Sequence, residues 1–388
     1  MKALNQLKTF QRILGDYPAE TPLSKFLPGF YRQNKQMGST DRKVASRLVY
    51  NYFRLGKALF NIPTEERLLV SEFLCNNHVN SYLQHFKPEW ALCTGFTIDE
   101  KISLVKATYP AFKLTDVFPW SDELSDGIDK EAFLKSFFVQ PDLFIRVRKE
   151  FDQLVKGTLN KANVTYKDEG NGCLALPNGT RLEAIFPQHW YEVQDFSSQQ
   201  TGKFFRPKKW ESWWDACAAS GGKSLLLHDQ EPNLKLVVSD IRESVLNNLD
   251  ERFHQSGLIK YQKKLLDLTQ NIDPELHDYA FDGIILDAPC SGSGTWGRTP
   301  EMISQFQSQK IEFFQRLQQS IIRNVVKYLK PGKPLIYITC SVFKGENEDA
   351  VDFMVKELGM KIEESQVLRG YEHKADTMFA VRLIPPVG

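Results

Sequence analysis

Long apolar runs are missing from this 388-residue chain, and that absence predicts no transmembrane helix, which needs about 20 consecutive apolar residues. The opening residues, Met1-Lys2-Ala3-Leu4-Asn5-Gln6, lack the charged-then-apolar pattern of a secretory leader. A cytoplasmic address is the expectation. Cysteine is scarce, at six positions: Cys75, Cys93, Cys173, Cys217, Cys290 and Cys340. None stands in C-x-x-C spacing and no histidine cluster accompanies them, so no metal site is expected. Six in so long a chain also make a poor disulfide framework, and free thiols are expected. An excess of charge of one sign is absent too, the net being +1.

What is present is an uneven distribution of that charge. Residues 1–60 hold 11 lysines and arginines against 3 acids, while the remainder holds 38 against 45. A basic front end on a near-neutral protein points to a local polyanion contact. Within it, Ser39-Thr40-Asp41-Arg42-Lys43 is a helix start. Ala45, Leu48, Tyr52, Leu55 and Leu59 follow one face of that helix. Lys43, Arg47, Tyr50, Arg54 and Lys57, spaced 4-3-4-3, follow another. The second stripe could lie along a phosphate backbone, and the same spacing also fits a solvated helix face.

The chain is long enough for two or three domains, and its periodicity divides it into three. Apolar residues recur at helical spacing up to about residue 115, and an Asp-, Ser- and Gly-rich stretch over 116–130 reads as a linker, giving a helical domain over 1–130. A small α+β unit is expected over 131–204, with a helix near 151–162 and turns at 168–172 and 177–179. From about 205 strands and helices alternate to residue 388, with strands at 211–216, 236–239, 281–286 and 335–339 and a long helix over 309–329. Alternating βαβ units call for a parallel sheet covered on both faces, with ligands beyond its carboxyl edge. Asp215, Asp240, Asp287 and Cys340 all sit at that edge.

Asp215-Ala216-Cys217-Ala218-Ala219-Ser220-Gly221-Gly222-Lys223-Ser224 joins the first of these strands to its helix. Its small residues allow a ligand close to the backbone, and the helix start offers free N–H groups. A phosphate-binding P-loop is excluded, because Cys217 stands where its first glycine is required. The dinucleotide pattern G-x-G-x-x-G is absent as well. A smaller, less anionic ligand remains, with Asp240 placed for ribose hydroxyls and Asp267 for a base edge. Farther on, Asp287-Ala288-Pro289-Cys290 follows the fourth strand and Thr339-Cys340-Ser341 the fifth. Two thiols and a carboxylate are thereby expected in one crevice. The sequence alone does not rank one thiol above the other.

These motifs resemble the Nop/Sun family of RNA (cytosine-5) methyltransferases. The loop 215–224 is similar to that family's D-A-C-A-A-P-G-G-K-T, with Ser220 for Pro and Ser224 for Thr. Asp287–Cys290 matches D-A-P-C, Thr339–Ser341 matches T-C-S, and Gly294–Glu301 is similar to G-x-x-x-R-x-P-[DE]. Val193-Gln194-Asp195 and Ser197-Ser198-Gln199 resemble the segment before the catalytic domain, while 377–381 fits the family's ending only loosely. The likeness covers about residues 140–388.

It implies a Rossmann-like α/β methyltransferase domain preceded by the helical domain and the small α+β unit, with S-adenosylmethionine as cofactor. Cys217, Ala218, Ala219, Ser220, Gly221, Gly222, Lys223, Asp240, Asp267 and Asp287 would contact the cofactor. Cys340 would be the nucleophile toward carbon 6 of cytosine, Cys290 would help release the product, and Asp287 would also face the base. The partner expected is RNA, rRNA in particular, with tRNA as an alternative target, and a monomer is expected. A fold-retaining, non-catalytic ribosome-assembly factor that binds RNA is the competing expectation.

Overall fold

The computed structural model describes residues 2–386 and divides into two compact units. The first comprises the chain up to Asp122 with Asp129–Gln140 and Trp296–Gln307. The second comprises Glu123–Ile128, Pro141–Thr295 and the chain from Ser308. Among the described residues no helix is long and apolar enough to cross a membrane.

The first unit is helical. Lys2–Asp16, Leu23–Gln33, Ser39–Arg54 and Thr64–Cys75 are its longest early helices. They close on a core that includes Phe10, Ile13, Leu27, Phe30, Leu48, Val49 and Leu68. The third helix starts where the Ser-Thr-Asp run predicts, with the Gly38 N–H donating to the Asp41 carboxylate at 3.3 Å, the return half of a capping box. It stops at Arg54 for a steric reason. Gly56 takes φ +57°, and a Cβ there would lie 1.9 Å from the Val117 carbonyl oxygen, so only glycine fits. Leu55 and Leu59, expected on the helix's apolar face, are buried beyond its end. Trp296–Gln307 joins this unit from far along the chain. The Glu301 carboxylate accepts the Leu23 N–H at 3.0 Å, capping the start of the second helix.

The second unit holds two sheets. The smaller is antiparallel, with β1 (Leu143–Val147), β2 (Lys167–Gly170), β3 (Cys173–Leu176) and β4 (Tyr191–Val193) in the order β2-β3-β1-β4. The helix Asp152–Lys161 buries Val155 and Leu159 in a cluster with Ile145, Val147, Leu174 and Leu176. The larger sheet has seven strands: β5 (Ser212–Asp215), β6 (Lys235–Asp240), β7 (Gln262–Leu265), β8 (Gly283–Asp287), β9 (Leu335–Thr339), β10 (Lys361–Leu368) and β11 (Met378–Ile384). Their order is β10-β11-β9-β8-β5-β6-β7, with β11 antiparallel to both its neighbours and β5 to β9 paired parallel.

Composition explains the placement of these strands. β8 (GIILD) and β9 (LIYIT) are apolar on both faces and lie centrally, covered on both sides. β7 (QKKL) and β10 (KIEESQVL) carry charge and form the edges, where lysines discourage pairing with other chains. The direction of strand addition reverses between β5 and β8, which opens a crevice at their carboxyl ends. The α/β fold expected from the sequence is the one observed, and the long helix over Gln309–Val325 continues as a short 3-10 turn to Tyr328.

Candidate active site

Asp215 ends β5, and the loop after it leads into the helix Gly222–Gln230. The loop is held against the end of β6: the Ala218 N–H donates to the Ser239 carbonyl at 2.8 Å and the Ala219 N–H to Asp240 Oδ2 at 3.1 Å. Gly221 takes φ +80°, and a Cβ there would lie 2.2 Å from the Phe253 ring, so the turn depends on glycine. Asp215 is wholly buried. Ser224 Oγ donates to its Oδ2 at 2.6 Å while Oδ1 has no partner. Burial pushes its carboxyl up to about 7, the Ser224 hydrogen bond opposing. Ser220, where the family has proline, is exposed. Arg252 Nη1 donates to its Oγ at 3.0 Å and its carbonyl at 3.2 Å, and Arg252 Nε donates to Glu192 at 3.0 Å. A hydrogen-bonded arginine thus restrains the position that a proline ring would stiffen.

A cavity of about 560 Å³ lies over these strand ends. Cys217, Ala219, Asp240, Asp267, Asp287, Cys290 and Cys340 line it, with Ile241, Leu268, Pro289 and Leu317 as apolar wall. Ala218, Ser220, Gly221, Gly222 and Lys223 shape the loop without lining the cavity. Asp240, Asp267 and Asp287 face one lining cation, Arg242, so the field disfavours a polyphosphate and suits a cationic ligand. Arg242 holds Asp240 through Nε at 3.0 Å and Nη2 at 3.2 Å. The hydrogen bonds to Asp240 keep the Arg242 guanidinium above its ordinary range. Thr269 fixes Asp267 through its N–H at 3.0 Å and its hydroxyl at 2.7 Å. A nucleoside carrying a positive charge fits these walls: an apolar slot for the base and carboxylates for hydroxyls and cation.

The chemistry concentrates where β8 and β9 end side by side. Cys290 Sγ and Cys340 Sγ are 3.2 Å apart. Lys223 Nζ lies 2.9 Å from Asp287 Oδ2 and 2.9 Å from Ser198 Oγ. Burial alone would push Lys223 down. The Asp287 carboxylate and, less strongly, the Cys340 sulfur outweigh it and hold the ammonium above its usual range. Cys290 is pushed well above the ordinary thiol range, first by its hydrogen bond to Cys340 and then by burial. Cys217 is also pushed well up, by burial and then by Asp215, Asp240 and Asp287.

Behind the thiols lies a buried polar frame that the sequence did not disclose. Glu346 accepts the Ser291 N–H at 2.7 Å and the Ser341 hydroxyl at 3.0 Å. Ser293 Oγ accepts the Val342 N–H at 2.9 Å. Asn347 Nδ2 donates to the Ser341 carbonyl at 3.0 Å and Ser125 Oγ at 2.7 Å. Burial raises the Glu346 carboxyl, its serine partners opposing. These residues tie the loop after β8 to the loop after β9. Ser198 and Gln194 were also unassigned. Gln194 Nε2 donates to Ser198 Oγ at 3.2 Å and the Gly222 carbonyl at 3.3 Å. The family-like segment gave them no role, because their partners Gly222 and Lys223 lie more than 20 residues away.

The four basic residues of the first unit do not form one surface. Lys43 and Lys57 are exposed, with Lys57 Nζ 4.6 Å from the Trp120 ring centroid. Arg47 is paired with Glu72 at 2.6 Å. Arg54 is 1% exposed and donates to the Phe137 carbonyl at 2.9 Å, the Val139 carbonyl at 3.2 Å and Gln140 at 2.8 Å. Arg54 is a buried structural cation here, because the 4-3-4-3 row turns inward at the helix end.

The strand order, with its single reversed strand, and the ligand crevice at the carboxyl edge define a Rossmann-like α/β domain. Residues 203–387 match the family model described as 16S rRNA methyltransferase RsmB/F. The ribosomal RNA small subunit methyltransferase B of Shewanella oneidensis is 34% identical over 195 residues, covering 49% of this chain and 44% of that protein. The chain therefore matches less than half the length of that relative. The crystal structure of PH0851 superposes with TM-score 0.69 at 18% identity, covering 91% of this chain and 92% of that one. NSun6 from Pyrococcus horikoshii with SFG superposes at 0.60 and 18% identity, over 69% of this chain and 97% of that one.

Proposed function

We propose that this protein is an S-adenosylmethionine-dependent RNA methyltransferase that forms 5-methylcytosine, with rRNA as its substrate, and that Cys340 is its covalent nucleophile. The observation that carries this reading is the pairing of two thiols 3.2 Å apart with the Lys223–Asp287 ion pair, at the rim of a nucleoside-sized cavity. The matched family description and the relative's name, both of 16S or small-subunit rRNA methyltransferases, support the substrate class. Asp240 and Asp267 would take the ribose and adenine, and the loop 217–223 would shape the approach to the rest of the cofactor. When bound, that cofactor supplies an electrophilic methyl group.

Carbon 5 of cytosine is a weak nucleophile until a thiolate adds to carbon 6. Cys340 sulfur forms that bond, and the electron pair displaced from the ring double bond makes carbon 5 an enamine carbon. The Lys223 ammonium, held in place by Asp287, answers the negative charge that builds on the ring at nitrogen 3, as oriented charges do best in a site with little water. Carbon 5 takes the methyl group, a base removes its proton, and the carbon–sulfur bond breaks to return the thiolate. Cys290, with its sulfur 3.2 Å from that of Cys340, is placed to act in this second half. Of the stripe's four cations, Lys43 and Lys57 are exposed and would meet RNA phosphate.

Replacing each thiol in turn tests the assignment. Cys340→Ala should abolish both methylation and any covalent enzyme–RNA adduct. Cys290→Ala should form the adduct and release it slowly, giving a slow-migrating band on a denaturing gel. An adduct in Cys340→Ala with none in Cys290→Ala would reverse the roles. Cofactor binding with neither adduct nor methyl transfer in any form would favour a non-catalytic RNA-binding factor.

A further inference from the structure

A second cavity, of about 600 Å³, lies in the same unit near the carboxyl end of the helix Gly222–Gln230, against β1 and the turn after it. Its charged walls are Arg146, Arg148, Lys149 and Lys203 against Glu150 and Asp229. Arg146 is 7% exposed. Its Nη1 is paired with Asp229 and its Nε donates to Gln194 Oε1 at 3.0 Å, while its Nη2 has no partner. Arg148 Nε is likewise buried without a partner. Arg148 Nη2 lies 3.6 Å from Glu192 Oε1, but a buried donor left unsatisfied is costly, and two such nitrogens at one wall call for an acceptor. Neither atom faces bulk water, so a turn of the terminal side-chain bonds is what brings them to a ligand.

We propose that this cavity is an anion site that takes a phosphate group, gripped by Arg146 and Arg148 from the wall and by Lys149 and Lys203 from the rim. Planar guanidinium forks match phosphate oxygens bidentately. The carboxyl end of the neighbouring helix disfavours an anion slightly, which the excess of cations offsets. The site also connects to the reaction centre. Gln194, which accepts from Arg146, donates to Ser198 and to the Gly222 carbonyl, and Ser198 meets Lys223 Nζ. A phosphate that drew Arg146 toward the cavity would act on the group that orients Lys223. If the RNA function proposed above holds, the phosphate belongs to the substrate backbone. The anion site itself does not depend on that reading.

Two binding measurements on the full chain test it. Arg148→Gln and Lys203→Gln carry the test, since Arg146→Gln removes a buried cation and could unfold the unit. With an oligoribonucleotide, each variant should bind about 3–10-fold more weakly and lose about one unit of salt slope per phosphate contact. With inorganic phosphate at fixed ionic strength, the melting temperature of the wild type should rise more than that of Arg148→Gln. An effect on RNA alone assigns a polynucleotide phosphate, and an effect of inorganic phosphate alone assigns a small phosphate ligand. Wild-type behaviour of both variants in both measurements overturns the site. Cofactor affinity should be unchanged in Lys203→Gln. A wild type without methyl transfer would sink the proposed enzyme while leaving both binding arms readable.

Discussion

The Lys223–Asp287 pair offers a quantitative test of the candidate site. Lys223's side chain is 9% exposed and Asp287's 28%, with 2.9 Å between charged atoms. Removing the acid strands the more buried charge. Asp287→Ala should cost about 3–5 kcal/mol, the range for breaking a buried pair from one side. Lys223→Met leaves an acid that water still reaches and keeps a side chain of similar length. It should cost less, about 1–3 kcal/mol. The double variant removes both charges and should be more stable than the sum of the single changes, with a coupling of about 2–3 kcal/mol. Because the chain has two units, a global melt mixes their unfolding. Native-state hydrogen exchange of the β5 and β8 amides reads the stability of the second unit directly. Additive effects within about 0.5 kcal/mol, or a loss below 1 kcal/mol for Asp287→Ala, would refute the claim that this pair is a buried, mutually dependent unit. Both single variants should also lose methyl transfer.

Other expectations follow from particular contacts. Asp240→Ala should weaken S-adenosylmethionine binding by about 1.5–3 kcal/mol, the range for a hydrogen bond to a charged group, and calorimetry showing unchanged affinity would place the ribose elsewhere. Asp215 has a folded-state range raised to about 7. It favours the folded state below its unfolded range, and that contribution disappears as pH rises through about 7. The stability difference between wild type and Asp215→Asn should therefore shift against the wild type from pH 4 to 8, by up to roughly 4 kcal/mol. A flat difference in urea titrations across that window would contradict a buried, proton-retaining carboxyl. Arg54→Met should destabilise the helical unit by about 1–3 kcal/mol for each carbonyl left without its donor. Lys43→Gln should leave the melting temperature unchanged and weaken RNA binding. A stable Arg54→Met protein with reduced RNA affinity would return Arg54 to the RNA surface.

By itself the sequence determined the βαβ alternation, the loop 215–224 and the acids and cysteines that follow the strands. These depend on local rules: periodicity, small residues at a strand-to-helix turn, and polar residues after apolar runs. The basic stripe was legible as a spacing, but spacing does not say where a helix ends. The helix ends at Arg54, just before Gly56 at φ +57°, and Arg54 is buried on the carbonyls of Phe137 and Val139. Tertiary structure also decided which groups meet. Cys290 and Cys340 are 50 residues apart and become sulfur neighbours because β8 and β9 pair in parallel. Lys223, read as part of a cofactor loop, meets Asp287 because β5 lies beside β8. Glu346 and the cavity around Arg146 had no sequence signal, and Ser198 lay in a family-like segment without a role. Their partners come from other segments, and a buried hydrogen bond between distant residues has no local pattern to announce it.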